Sequence, residues 1–391
     1  MNRQKFIIFS TILIEVLGIS IIIPAFPELK EFYTINDFQV TLWLAVYSIF
    51  SFMAAPVLWQ WSDRVWRKRP LAICIAGTML SYLVLLLTQN YWIFLISRII
   101  NGITGGNIAI LQAILTDISP DTETKNKNYG LMGAFFGLWF IIWPVVGALC
   151  LKFGGVESIF WVWAILAGLE LILILARFHN TNTASIEDED DLPIVNFNSF
   201  AVVAKYLRKP KLRNLLISLF ALGVGGFIVN SSLSLYMNNI FGTSGIQFGY
   251  IFAIFGVITA LNMALLLPKF WTKILSTKSL IVLAHAMAIW WYVVISQIVG
   301  SESWFIVALY STILFSGFYM PLYTTIIMTQ ADPKNTGEIS GMLSWAQWLF
   351  MFVGPLIGGI MLNYGYNIFI GAAVCIIISL VVILQYFAHK E

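Results

Sequence analysis

The chain has 391 residues, 59% of them hydrophobic and only 10% charged, with a formal net charge of +3. A soluble domain carries roughly 25% charged residues. Too few charges remain here for a water-facing surface, so lipid is the solvent of most side chains.

The apolar residues form twelve runs, at 6–27, 40–61, 70–89, 92–116, 129–151, 157–177, 212–236, 247–268, 279–299, 303–329, 339–362 and 366–388. A helix spans a bilayer with about 20 apolar residues. A membrane barrel needs strict alternation over about ten residues, and these runs do not alternate. The fold expected is an all-α membrane protein of twelve transmembrane helices. The first run follows Arg3 and Lys5 like a signal peptide. It is too long and lacks a small-residue cleavage site, so it counts as helix 1. Cys74, Cys150 and Cys375 all fall inside runs and read as small buried hydrophobes, with no disulfide framework or metal site.

Between runs two and three lies the densest basic cluster of the first half, Trp61-Ser62-Asp63-Arg64-Val65-Trp66-Arg67-Lys68-Arg69-Pro70. Placing the joints alternately on two sides puts this cluster with Arg3, Lys5, Lys125, Lys127, Arg177, Lys205 to Arg213, Lys269, Lys273, Lys278, Lys334 and Lys390. The other side receives Lys30 and Lys152. Cationic joints stay in the cytoplasm, so both termini are expected there, with the helices in the inner (plasma) membrane.

The longest joint carries Glu187-Asp188-Glu189-Asp190-Asp191 and then the basic stretch from Lys205 to Arg213. It reads as a linker, 179–211, between six-helix halves at 1–178 and 212–391. The halves repeat: Gly130, Pro144 and Gly147 recur at one common offset as Gly341, Pro355 and Gly358. Internal repeats of this kind build transporters, with the substrate site near the midplane.

Deep inside the runs lie Glu15, Arg98, Glu170 and His285. A charge at the bilayer centre costs at least about 2.5 kcal/mol, and such residues mark ion pathways. A carboxyl midway along helix 1 is poised to take a proton from one side and release it to the other. Arg98 is its expected partner, and making and breaking that pair tunes the proton's hold. A static pair fixing two helices is the plainer alternative. Glu170, nearer the cytoplasmic end, is expected to snorkel or pair locally. His285 titrates near neutrality in water but reads first as a satisfied structural histidine. Tyr47, Asn107, Gln112, Asn230, Asn262, His285, Trp345 and Gln347 are candidates for the cavity wall, where aromatic and amide groups suit an amphipathic organic molecule.

Several stretches now carry a resemblance. Helix 1 reads Glu15-Val16-Leu17-Gly18 and exits through Pro24-Ala25-Phe26-Pro27. Ala55-Pro56-Val57-Leu58 and the basic loop follow. Helix 4 carries Arg98-Ile99-Ile100-Asn101-Gly102 and ends in Asp117, and Gly354-Pro355-Leu356-Ile357-Gly358-Gly359 stands in helix 11. Together these resemble the drug:proton antiporter branch of the major facilitator superfamily, near the bacterial tetracycline/proton exporters. The resemblance implies two pseudo-symmetric halves, helix contacts at Gly102, Pro144, Gly147, Gly354, Pro355 and Gly358, and coupling through Glu15 and Arg98. It also implies a latch. Asp63 would meet the start of helix 11 near Gly337 to Ser340, where a carboxylate suits unpaired N–H groups, and Arg64 or Arg67 would pair with Asp117.

Departures are specific. Trp59 and Trp66 replace both glycines of the loop motif, and Trp139 and Trp143 replace glycines in helix 5. Ser81 stands for the helix 3 acid, and the helix 9 acid is absent, with Ala288 nearest. Tetracycline is therefore not singled out as substrate. Small residues let membrane helices approach, and helix 8 offers Gly249, Ala253, Gly256, Ala260 and Ala264 at helical spacing. Trp139 and Trp143 either fill that stripe or face lipid.

The reading is a monomeric exporter of small amphipathic compounds by alternating access. Its partners are substrate, protons and lipid, with no nucleic acid. It uses no metal or other cofactor: the proton gradient is its energy source, since no phosphate-cradling G-x-x-x-x-G-K-[ST] loop occurs. Uptake or efflux of a nutrient, metabolite or metal chelate is the alternative on the same fold, and a non-transporting receptor or scaffold is a third. No nucleophile–base pair or metal cluster suggests an enzyme.

Overall fold

The computed structural model describes residues 3–17, 21–105, 107–119, 121–179, 208–329 and 336–388. The acidic linker run and Lys334 therefore lie outside the described residues, and so do the side chains of Glu15, Trp59, Asp63, Arg64, Trp139 and Trp143.

The described residues are helical almost throughout. α1 (Arg3–Leu17) lies in the first run and α2 (Phe26–Phe32) at its exit, α3 (Asp37–Arg64) covers the second and α4 (Lys68–Leu85) the third. The fourth run is split into α5 (Tyr91–Thr104) and α6 (Asn107–Asp117). α7 (Thr122–Arg177) covers runs five and six as two helices joined at Gly155, whose φ of 64° and ψ of −163° are not helical. A residue without Cβ adopts that geometry freely. The Ser158 hydroxyl bridges the joint, 2.7 Å from both Cys150 O and Gly155 O.

α8 (Pro210–Phe241) is run seven. Run eight is α9 (Gly245–Leu261), a π-helical stretch at Asn262–Trp271 and the short α10 (Thr272–Ile274). α11 (Thr277–Gln297) is run nine, α12 (Glu302–Ser316) and α13 (Tyr319–Thr329) share run ten, α14 (Thr336–Asn363) is run eleven and α15 (Ile368–Ala388) run twelve. Nine helices among the described residues are long and apolar enough to cross a membrane, and Gln4–Ile14 and Tyr91–Thr104 are shorter apolar helices. Local chemistry sets several starts. Asn90, Asp121 and Ser276 each accept a backbone N–H of the helix they open, and Gly242 ends α8 in the left-handed conformation.

The chain packs as two units. The first comprises 1–35, 46–197 and 245–253, the second 36–45, 198–244 and 254–391. The start of α3 thus packs with the second unit and the start of α9 with the first. In unit 1, α1 and α4 pack on α7, and Ile8, Ile12, Leu71, Ile75, Leu111 and Ile114 form one buried cluster. In unit 2, α8 packs on α14 and α15, and α15 also on α11.

Glycines set the closest approaches. A Cβ on Gly147 would strike the Ile21 carbonyl, and one on Gly102 the Tyr47 carbonyl. In unit 2, Gly354 lies against Phe227 and Gly358 against Ile228 O and Ser232. The offset that carries Gly147 to Gly358 also carries Ile21 to Ser232, so the repeat seen in the sequence is a repeat of contacts. It extends further. Gly249 packs on Pro144 and Ala148 in unit 1, and Gly359 packs on Phe38 and Thr41 in unit 2. The same offset takes Phe38 to Gly249 and Ala148 to Gly359. Each of these two crossings keeps a glycine, on α9 in one and on α14 in the other. The helix 8 stripe therefore meets helix 5 at Gly249, through the backbone of Pro144.

Candidate functional site

Arg98 lies in α5 and is only 2% exposed. Its guanidinium carbon stands 4.7 Å from the centre of the Tyr82 ring. Nη1 reaches the Tyr82 hydroxyl at 3.4 Å and Nε donates to Ser97 Oγ at 3.3 Å. Tyr82 in turn stacks on Trp163 of α7, centroids 5.5 Å apart. One turn further along α5, the Asn101 amide donates to Ser81 Oγ at 2.9 Å, and that hydroxyl donates to Thr78 O. Ser81, at the position of the expected helix 3 acid, thus serves a neutral hydrogen-bond chain. Glu15 lies within α1; its pairing with Arg98 lies outside the described side chains. Glu170 is 1% exposed. Burial to this degree excludes the snorkelling half of the expectation drawn from its position along the run.

The basic loop is compact. α3 ends at Arg64 and α4 begins at Lys68. Arg67 is buried, with Nε 3.0 Å from Asp117 Oδ2 and Nη1 donating to Ser62 Oγ at 2.9 Å. Asp117 ends α6, where a carboxylate meets the negative end of a helix and needs a cation. Of the two arginines named from the sequence, Arg67 is the one seen to bond it. Lys68 Nζ donates to Leu175 O at 2.8 Å. Trp66 is 51% exposed, so its ring replaces glycine without entering a helix contact.

The cavity candidates divide. Tyr47 is buried and its hydroxyl lies against Gly105, at the break between α5 and α6. Asn107 opens α6, is fully buried, and neither amide atom has a hydrogen-bond partner among the described residues. Gln112, Asn230 and Trp345 are partly buried and Gln347 exposed. Asn262 is fully buried at the start of the π-helical stretch, and its Nδ2 donates to Ile313 O at 2.9 Å and Leu314 O at 3.2 Å. It caps carbonyls of α12 just before that helix breaks. His285 is fully buried in a cage of hydroxyls from Ser379 and Tyr323.

Contacts that sequence reading missed lie at the ends of α3 and α9. Glu28 Oε1 accepts the Gly245 N–H at 2.7 Å, capping α9. Burial pushes this carboxyl up from its usual range, against a smaller downward pull from that N–H. Asn239 Nδ2 donates to Asp37 Oδ2 at 2.8 Å. The acid after the Pro24-to-Pro27 exit was the available signal for Glu28; nothing local marks Asn239.

The fold has close relatives among transporters. Residues 8–355 match the model of the Major Facilitator Superfamily, and the chain belongs to that family. It is 28% identical over 365 residues to the "Tetracycline resistance protein, class E" of Escherichia coli, covering 91% of this chain and 87% of that one. To the "Quinolone resistance protein NorA" of Staphylococcus aureus (strain MSSA476) it is 23% identical, covering 92% and 90%. Among solved structures, the nucleoside transporter NupG superposes with a TM-score of 0.76 at 13% identity, covering all of both chains. The human organic anion transporter MFSD10 (TETRAN) gives 0.67 at 18%, covering 97% and 99%. At these identities the solved structures speak to the fold alone, a helical transporter fold that the nine candidate spans among the described residues fit.

Proposed function

We propose that this protein is a proton-driven exporter of small amphipathic organic compounds. Resistance proteins against tetracyclines, quinolones and multiple drugs among its relatives support that reading. The observation that carries it is Arg98, a guanidinium closed into the apolar interior of unit 1 on Tyr82, in a family of transporters. Such a charge is costly in a membrane. Glu15, in α1, carries the proton in this reading, and Arg98 adjusts how tightly it is held. Arg67 and Asp117 hold α4 to α6 on the cytoplasmic side. The protein acts as a monomer in the inner membrane with both termini in the cytoplasm.

The test is proton movement in proteoliposomes under an imposed pH gradient, with a quinolone, a tetracycline and a lipophilic cation added singly. Substrate-dependent flux in the wild type that Glu15→Gln abolishes, with substrate still bound, is the expected result. Flux that survives the substitution removes Glu15 from the coupling step. Absence of flux with any of the three compounds in folded wild type rejects the drug-exporter reading.

A further inference from the structure

Four helices of unit 2 bring one imidazole and three hydroxyls together in a fully buried cluster. His285 comes from α11, Ser218 from α8, Tyr323 from α13 and Ser379 from α15, each with essentially no exposed surface. His285 Nδ1 lies 2.8 Å from Ile281 O. A carbonyl only accepts, so Nδ1 carries a hydrogen. Nε2 lies 3.0 Å from Ser379 Oγ and 3.3 Å from the Tyr323 hydroxyl. Ser379 Oγ also stands 2.8 Å from Ser218 O, and Ser218 Oγ 2.9 Å from Ser379 O and 2.6 Å from the Tyr323 hydroxyl.

Six contacts of 3.0 Å or less need six hydrogens to be made at once: Nδ1 to Ile281 O, Nε2 to Ser379 Oγ, Ser379 Oγ to Ser218 O, Ser218 Oγ to Ser379 O, Ser218 Oγ to Ser379 Oγ, and the Tyr323 hydroxyl to Ser218 Oγ. A neutral ring with the three hydroxyls supplies four. In the neutral state Nε2 accepts from Ser379 at 3.0 Å or from Tyr323 at 3.3 Å, and one of these hydroxyls turns its hydrogen to the ring. One added proton on Nε2 makes the ring the donor to Ser379 Oγ, and Ser379 gives its own hydrogen to Ser218 O, with no heavy atom displaced. The cage is thus built with room for one more hydrogen than the neutral side chains carry.

We propose that this cluster is a proton-binding site in the second unit, separate from Glu15, with His285 Nε2 as the acceptor. The proton comes from water and returns to it, and the ring alternates between imidazole and imidazolium. The groups facing it are neutral. Tyr319 stacks edge-on at 5.1 Å and gives its hydroxyl hydrogen to Ala284 O, and the Tyr323 ring lies tilted with its centre 6.1 Å away. Among the described residues no carboxylate or cationic side chain bonds the ring. Among the described side chains, the charged groups of the packed helices sit at their ends: Arg213 in the first turn of α8, Lys278 over Phe387 and Glu302 bonded to Thr243. An imidazolium here is held by oxygen dipoles alone, and a hydrogen bond to a charged group contributes about 1.5–3 kcal/mol.

The chain has three histidines, so nitrogen NMR of the ¹⁵N-histidine-labelled full chain in nanodiscs resolves them, and the His285 signals are those missing from His285→Gln. No substrate is added, so the result is independent of the exporter reading. Expected is one reversible step on acidification, in which both ring nitrogens become protonated while the fold is kept. Ser379→Ala removes the acceptor of the new hydrogen and lowers proton affinity about tenfold. Tyr323→Phe, which keeps the packing and Ser379, leaves the step in place. A ring that stays in the single Nδ1–H form wherever the protein is folded overturns the proposal, as does a Ser379→Ala midpoint equal to wild type.

Discussion

The Arg67 side chain reaches two elements at once, bonding Ser62 near the end of α3 and Asp117 at the end of α6. Its side chain is 8% exposed and that of Asp117 21%, so solvent screens the pair less than it would a surface bridge. Thermal unfolding of Arg67→Ala, Asp117→Ala and the double variant should show a coupling of about 1–2 kcal/mol. Additive losses would mean the pair is ornamental. Glu28 makes a prediction of opposite sign. Its folded carboxyl titrates above the unfolded value of 4.5. The stability it contributes is therefore full below that value and falls as pH rises through the raised one. Wild type should lose stability from acid toward neutral pH. Glu28→Gln, which keeps an acceptor for the Gly245 N–H, should flatten that slope; an unchanged slope would remove Glu28 as its source. The contact between Arg67 and Asp117 was one that the family resemblance implied, with Arg64 as the alternative partner. Glu28 was not, because its partner is a backbone group more than two hundred residues away.

At the scale of elements, the helices are long, but where they touch is set by single missing side chains. Gly249 admits the Pro144 carbonyl into its own Cβ position. Overpacking a tight contact costs roughly 1–3 kcal/mol, so Gly249→Val should lower the melting temperature and transport together. Gly226→Ala is the matched control. Nothing lies within 4 Å of its added methyl, and it should behave as wild type. Equal behaviour of the two variants would show that the α7–α9 crossing is not tight. The breaks were harder to foresee. Run four splits at Gly105, a pair of glycines being the cue, while run ten splits after Ser316 and is repaired from another helix by Asn262. A hydropathy pattern reports that a segment is apolar, not that one turn of it is open.

Across the whole molecule, the apolar helical spans, their membrane setting and the repeat were written in the sequence. Burial in lipid demands continuous apolar runs, and a repeated packing contact demands glycine or proline at the same place in each half. These are local or periodic requirements, so one chain displays them without its fold. The tertiary structure decided what depends on remote parts meeting. It assigned the start of α3 to unit 2 and the start of α9 to unit 1. It closed Glu170 into the protein, turned Asn262 into a helix cap, and gathered Ser218, His285, Tyr323 and Ser379 from four helices into one cage. A serine in a membrane helix looks the same in sequence whether it bonds its own backbone or holds a histidine. Only the crossing of helices, fixed by side-chain shape along their whole length, tells the two apart.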